Sequence, residues 1–201
     1  MKKIILASFV GLCVIGQGLS QSGGADSEAK KNETKVHKLL SKIEQAQGFP
    51  NAMNRAIQVF ERETRPMKVA PELKREIVNR FSGVYKSMGA PSQLCAEKFP
   101  DTDQYVRCLG KEDDLEELIK SANRRGIIGI VSYYGGSNEA REFFLDVLEN
   151  ANPLYRKEAL HQIYFGGING DEVYDKIQSL VARGLVSKKD VLSALKGANP
   201  K

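Results

Sequence analysis

Two stretches of this chain echo one another: Tyr133-Tyr134-Gly135-Gly136-Ser137-Asn138 and Tyr164-Phe165-Gly166-Gly167-Ile168-Asn169, 31 residues apart. Each is an aromatic pair running into two glycines, with an asparagine two residues on, and each is flanked by apolar residues at helical spacing. A recurrence of that period between amphipathic segments marks helices that bury their apolar faces by stacking, not a catalytic loop. The glycines have a mechanical reason. A sharp turn between helices needs a residue that accepts positive φ or lets two backbones approach closely.

Elsewhere the period is helical as well. Val36, Leu39, Leu40 and Ile43 form a stripe that ends at Gly48, with Pro50 beyond, and Met53, Ala56, Ile57 and Phe60 form a second. Pro71 opens a third, with Leu73, Ile77, Phe81, Val84, Tyr85 and Met88 on one face and Gly89 placed for a left-handed cap. Short helical pieces are expected at 94–99 and 105–109, then helices at 113–122, 124–134 and 138–149. Asn152-Pro153 caps and opens a further helix, another covers 171–182, and Ser187 with Asp190 reads as a capping box for the last. No stretch alternates with a period of two, so the expected class is all-α.

Aligning the two copies sets Arg125 against Arg156 and Ile128 against Ala159. After a two-residue insertion, Ala140, Phe144, Val147 and Leu148 meet Val173, Ile177, Leu180 and Val181. Each unit then reads as a helix, a glycine turn and a second helix. Gly110 with Leu115, Leu118 and Ile119 reads as the end of a degenerate earlier unit. Residues 111–195 thereby resemble the HEAT-like α-solenoid repeats in the arginine at the head of the first helix, the turn and the period. The resemblance covers less than half of the chain. It implies helix pairs stacked into a curved sheet whose surface binds other proteins; the alternative is an ordinary bundle containing two similar hairpins.

The first twenty residues have the pattern of a secretory signal: Lys2-Lys3, an apolar run from Ile4 to Ile15, and Gly18-Leu19-Ser20 before Gln21. That run is too short to span a membrane and nothing later approaches the roughly 20 apolar residues required, so the expectation is a periplasmic or secreted chain. Residues 21–31 have no large apolar group and read as a flexible tether, 32–110 as an N-terminal helical subdomain, and 111–201 as the repeat region. Cys13 lies inside the signal, which leaves Cys95 and Cys108 as a natural disulfide in an oxidising compartment. No C-x-x-C and no adjacent histidine favours a reactive thiol instead.

The net charge of +5 falls to +3 without Lys2 and Lys3, too mild and too scattered for a nucleic-acid partner. Residues 55–86 hold eight basic and four acidic groups, whereas 97–117 hold eight acidic and three basic. These segments are either steering surfaces or solvated helix faces. His37 and His161 lie far apart without ligand spacing, and no nucleophile, phosphate-binding or dinucleotide motif occurs, so no metal or cofactor is expected. Asp113-Asp114 and Glu116-Glu117 have the residue types of a glycosidase pair, but on a charged helix in a chain without tryptophan they read as a solvated face.

These observations converge on a non-enzymatic helical-repeat protein that binds a protein partner. The candidate partner-facing residues are Leu145 and Tyr174, which point away from the stripes of their helices, with Arg141 and Asp175 beside them. They read equally as lone surface apolar groups. A carrier of a small ligand or lipid is the alternative, with Tyr133, Tyr134, Tyr164 and Phe165 lining a cavity. A hydrolase acting on cell-wall polymer stands third.

Overall fold

The computed structural model describes residues 23–89, 107–108 and 115–198. All regular structure in these residues is helical. The helices are α1 (Gly23–Gln45), α2 (Pro50–Thr64), α3 (Pro71–Ser87), α4 (Leu115–Tyr133), α5 (Asn138–Asn150), α6 (Pro153–Phe165), α7 (Asp171–Ala182) and α8 (Lys188–Ala198). The signal segment, Cys95, Asp113-Asp114 and most of both short helices expected around the cysteines lie outside the described residues.

Several boundaries follow from local chemistry. Pro71 and Pro153 stand in the first turns of α3 and α6, where a missing N–H costs nothing. Asn152 accepts the Tyr155 N–H at 3.2 Å and Ser137 accepts that of Ala140 at 3.2 Å, so α5 and α6 start on side-chain caps. Before α8, Ser187 Oγ accepts the Asp190 N–H at 3.0 Å and donates to the Asp190 carboxylate at 2.6 Å, so the serine side chain caps the helix.

The structure departs from the sequence reading in two places here. Residues 23–31, expected as a tether, belong to α1, whose described side chains from Ser27 to Lys31 face solvent. The good helix formers Glu28, Ala29, Lys30 and Lys31 extend the turn beyond the first buried residue, Val36. Likewise the two helices expected on either side of Asn123 are one, and the supposed remnant of an earlier unit, Leu115 to Ile119, is its first turn. Asn123 does not interrupt α4. It is buried, donates to Pro50 O at 2.9 Å and accepts from Asn54 at 2.9 Å, so its side chain ties α4 to α2 instead of competing with its own backbone.

The principal helix contacts follow a simple order. In one row α2 packs on α4, α4 on α6 and α6 on α8; in the other, α1 packs on α3, α3 on α5 and α5 on α7. Helices of the second row also lean on their successors in the first: α1 on α2, α3 on α4, α5 on α6. The packed pairs are therefore α3/α4 and α5/α6, and the Gly-Gly turns join one pair to the next. One buried cluster runs from Val36 to Ala194, with Phe60 set edge-on against Phe81 (4.9 Å) and Tyr85 against Phe143 (5.2 Å).

Within each packed pair an arginine of the second helix reaches the end of the first. Arg124, 2% exposed, donates to the carbonyls of Met88 and Gly89 at 3.1 Å and lies 3.1 Å from Glu117. Arg156 donates to Leu148 O (2.7 Å), Ala151 O (2.9 Å) and Glu149 O (3.3 Å). Both occupy the carbonyls that a helix C-terminus leaves open. Glu117 is thus buried beside a cation and not part of a solvated acidic face.

Arg124 and Arg156 are 32 residues apart, and at that offset the buried positions of α4 and α6 coincide: Ile127 with Ala159, Ile128 with Leu160, Val131 with Ile163. The echo of 31 is one residue out of the helical register. Arg125, matched to Arg156 in sequence, is half-exposed and pairs with Glu158 at 3.3 Å.

The two glycines of each turn do different work. Gly136 and Gly167 have φ of +94° and +61°, the left-handed region where an L side chain is strained. A Cβ on Gly135 or Gly166 would sit 2.9 Å from the carbonyl oxygen of Ser132. Ser132 Oγ also donates to Gln162 O at 2.8 Å, so the ends of α4 and α6 are in near contact.

Candidate binding surface

The four aromatics expected around a cavity are split by their environments. Tyr134 is buried, edge-on to Phe60 at 6.3 Å, and burial raises the pKa of its hydroxyl above the ordinary tyrosine value. Tyr133 is 53% exposed and donates to Arg65 O at 2.9 Å, with the Arg65 guanidinium 5.7 Å over its ring. Tyr164 is half-buried, and Phe165 is 71% exposed at the end of α6. In the register of 32, Tyr133 corresponds to Phe165, which is also exposed, and Tyr134 has no aromatic counterpart.

The four residues expected to face a partner lie on α5 and α7, neighbours in the second row. Leu145 is half-buried and packs partly against the core. Tyr174 is 62% exposed. Arg141 lies along Gly170, whose φ of +145° suits glycine and whose missing side chain leaves the room; the Arg141 Nε is buried there. Leu145 and Asp175 are brought together in the wall of an open groove of about 670 Å³ between α5 and α7, to which Arg141 and Tyr174 do not contribute.

Carboxylates dominate this groove. Asp146, Glu149, Glu172 and Asp175 line it with a single base, Lys176. Lys176 sits 2.7 Å from Glu149 and Arg183 sits 2.8 Å from it, and these bonds hold the Glu149 carboxyl below the usual glutamate value. Asp146 accepts from Asn150 at 2.6 Å, while Glu172 and Asp175 are exposed. Counted over both helices, α5 and α7 hold Glu139, Glu142, Asp146, Glu149, Asp171, Glu172 and Asp175 against Arg141 and Lys176. This surface is strongly acidic on a chain of net charge +5.

No charge run in the sequence announces it, because the basic residues Arg156 and Lys157 of α6 stand between the two helices along the chain. The available signal is the face of α5 opposite Phe144 and Val147, where Glu142, Asp146 and Glu149 recur at helical spacing.

Cys108 is half-buried against the core, and its expected partner Cys95 lies outside the described residues, so the bridge does as well. Among the described residues no helix is long and apolar enough to cross a membrane. Neither a family model, nor a curated protein, nor a solved structure matches this chain.

Proposed function

We propose that this chain is an exported, non-enzymatic α-solenoid whose groove between α5 and α7 holds a basic segment of a protein partner. The observation that carries the reading is electrostatic: four carboxylates, Asp146, Glu149, Glu172 and Asp175, line an open groove with the single base Lys176, on helices that together hold seven carboxylates against two bases, in a protein of positive net charge. Such a surface repels acidic chains and speeds encounter with basic ones. The two-row order of helices supports the HEAT-like architecture, in which neighbouring units bury a continuous core and leave one row open to a partner.

The test uses a fluorescein-labelled peptide of alternating lysine and glycine, titrated with the protein at low and at physiological salt. Binding should weaken with salt, and the Glu172→Lys/Asp175→Lys variant should bind at least about tenfold more weakly. Equal binding by wild type and variant, or preference for an acidic peptide, would sink the reading. Export and the Cys95–Cys108 bridge belong to the same proposal. Protein recovered from its host should begin at Gln21 and, before reduction, lack the mass of two hydrogens; Met1 at the terminus or two free thiols would remove that part.

A further inference from the structure

The first-row helices α4, α6 and α8 meet one another in a repeating way. Arg125 of α4 pairs with Glu158 of α6 at 3.3 Å, and Lys157 of α6 pairs with Asp190 of α8 at 3.8 Å. Both members of the second pair stand 32 residues beyond those of the first, the register that also relates Arg124 to Arg156. The next cation in the series is Lys189, which is exposed and has no acidic partner among the described residues.

Apolar positions run in step with these cations. Arg125, Ile128 and Ser132 share one face of α4, being spaced by three and four residues. That face meets α6, since Ser132 Oγ donates to Gln162 O at 2.8 Å, and Ile128 is buried. The corresponding residues of α6 are Lys157 and Leu160; Leu160 is buried and borders the turn into α8. Those of α8 are Lys189 and Leu192, and here Leu192 is 57% exposed. Leu195, in step with the buried Val131 and Ile163, is 41% exposed. Among the described residues only α6 packs closely on α8. The last helix therefore presents the face with which α4 receives α6 and α6 receives α8.

The two ends of the stack differ in this respect. At its start, α1 exposes Lys31, Lys38 and Lys42 and no large apolar side chain among those described, the polar outer face with which a terminal unit ordinarily closes a solenoid. Single exposed leucines are common on any surface, but Leu192 and Leu195 occupy positions that the two preceding helices bury.

Charge restricts what covers them. A second copy docked tail to tail would set Lys189 and Lys196 against the same lysines, and docked tail to head it would set them against those of α1; both arrangements repel. In each step already formed, the incoming helix brings a carboxylate, Glu158 or Asp190, to the waiting cation. An amphipathic helix with a carboxylate beside its apolar stripe reproduces that step.

We propose that α8 docks an acidic amphipathic helix of a partner protein, packed on Leu192 and Leu195 with a carboxylate at Lys189, as α6 receives α8. This surface is separate from the α5–α7 groove, and the inference does not rest on the groove reading.

The probe is a fluorescein-labelled, side-chain-stapled helical peptide of about 15 residues, stapled because a free helix of that length is marginal. It carries leucines every three or four places with glutamates beside them, and its control has serine for every leucine. The peptide should bind the intact protein and the control should not. Leu192→Ser should weaken binding at least about tenfold, the range for burying one leucine, and Lys189→Glu about threefold to tenfold. Both sites are exposed, so the melting curves of these variants should coincide with that of wild type. Glu172→Lys/Asp175→Lys should bind this peptide no more weakly than wild type, so the two readings fail separately. No binding, or equal binding by wild type and both α8 variants, would overturn the proposal. A dimer in sedimentation that Leu192→Ser dissolves would give the face to a second copy, also overturning it.

Discussion

Arg156 reaches back from the first turn of α6 to the end of α5, with its Nε 2.7 Å from the carbonyl oxygen of Leu148. Its Nη1 continues to Leu185 O at 3.2 Å, beyond the end of α7, so one guanidinium ties three helices. Arg124 makes the equivalent connection from α4 to α3 through Met88 and Gly89, and adds a cation–π contact over Tyr155 at 5.6 Å. Planarity and a fork of donors suit arginine to this task and make lysine a poor substitute.

Replacing Arg156 by methionine keeps the apolar stem and removes every one of those bonds. Urea unfolding should show a loss of about 2–3 kcal/mol, the cost of leaving buried carbonyls unanswered. Arg124→Met, which also takes the cation from beside Glu117, should lose about 3 kcal/mol or more. Arg125→Met should stay within about 0.5 kcal/mol, as expected for an exposed pair. If Arg125 were the costly position, the register of 32 residues would be wrong.

The glycines separate in the same kind of measurement. Gly166→Ala places a methyl against Ser132, including its carbonyl oxygen at 2.9 Å, and should cost about 1–3 kcal/mol through overpacking. Gly129, inside α4 with no atom within 4 Å of an added Cβ, should behave oppositely. Gly129→Ala is expected to stabilise by about 0.5–1 kcal/mol. Equal losses at both positions would mean that helix-end contact is not what Gly166 provides.

Acid should weaken the contact between α1 and α3. Arg80 bonds Glu44 at 2.5 and 2.7 Å, and this holds the Glu44 carboxyl below its ordinary value of 4.5. A carboxyl with a depressed folded pKa contributes stability that is complete above its unfolded value. That contribution is lost as pH falls from 4.5 through the folded value. Glu44→Gln should therefore flatten the decline in melting temperature as pH falls below 4.5. An unchanged slope in the variant would assign the acid sensitivity to other carboxylates.

Tyr174 and Leu145 should part company on substitution by serine. Tyr174→Ser, at an exposed site, should leave stability within about 0.5 kcal/mol of wild type. Leu145→Ser should lose about 1–2 kcal/mol, since part of its side chain packs on the core. A melting temperature unchanged in both would show Leu145 to be fully exposed in solution.

Much of the architecture was legible in the chain. The helical class, the caps at Asn152 and Ser187, the proline starts at Pro71 and Pro153, and the left-handed glycines Gly89, Gly136 and Gly167 all arise from interactions among residues a few positions apart. Such effects are local, so the sequence by itself determined them. It misjudged α1, where propensity alone carries the helix into solvent, and Asn123, whose partners are distant Pro50 and Asn54. The aromatic-Gly-Gly echo aligned Arg125 with Arg156, and only packing decided that Arg124 occupies the position equivalent to Arg156. A shift of one residue turns a side chain by about 100° and exchanges core for solvent. The acidic groove was decided wholly by tertiary structure. Its walls come from α5 and α7, adjacent in a row but separated along the chain by α6, so no linear pattern brings Asp146 and Asp175 together.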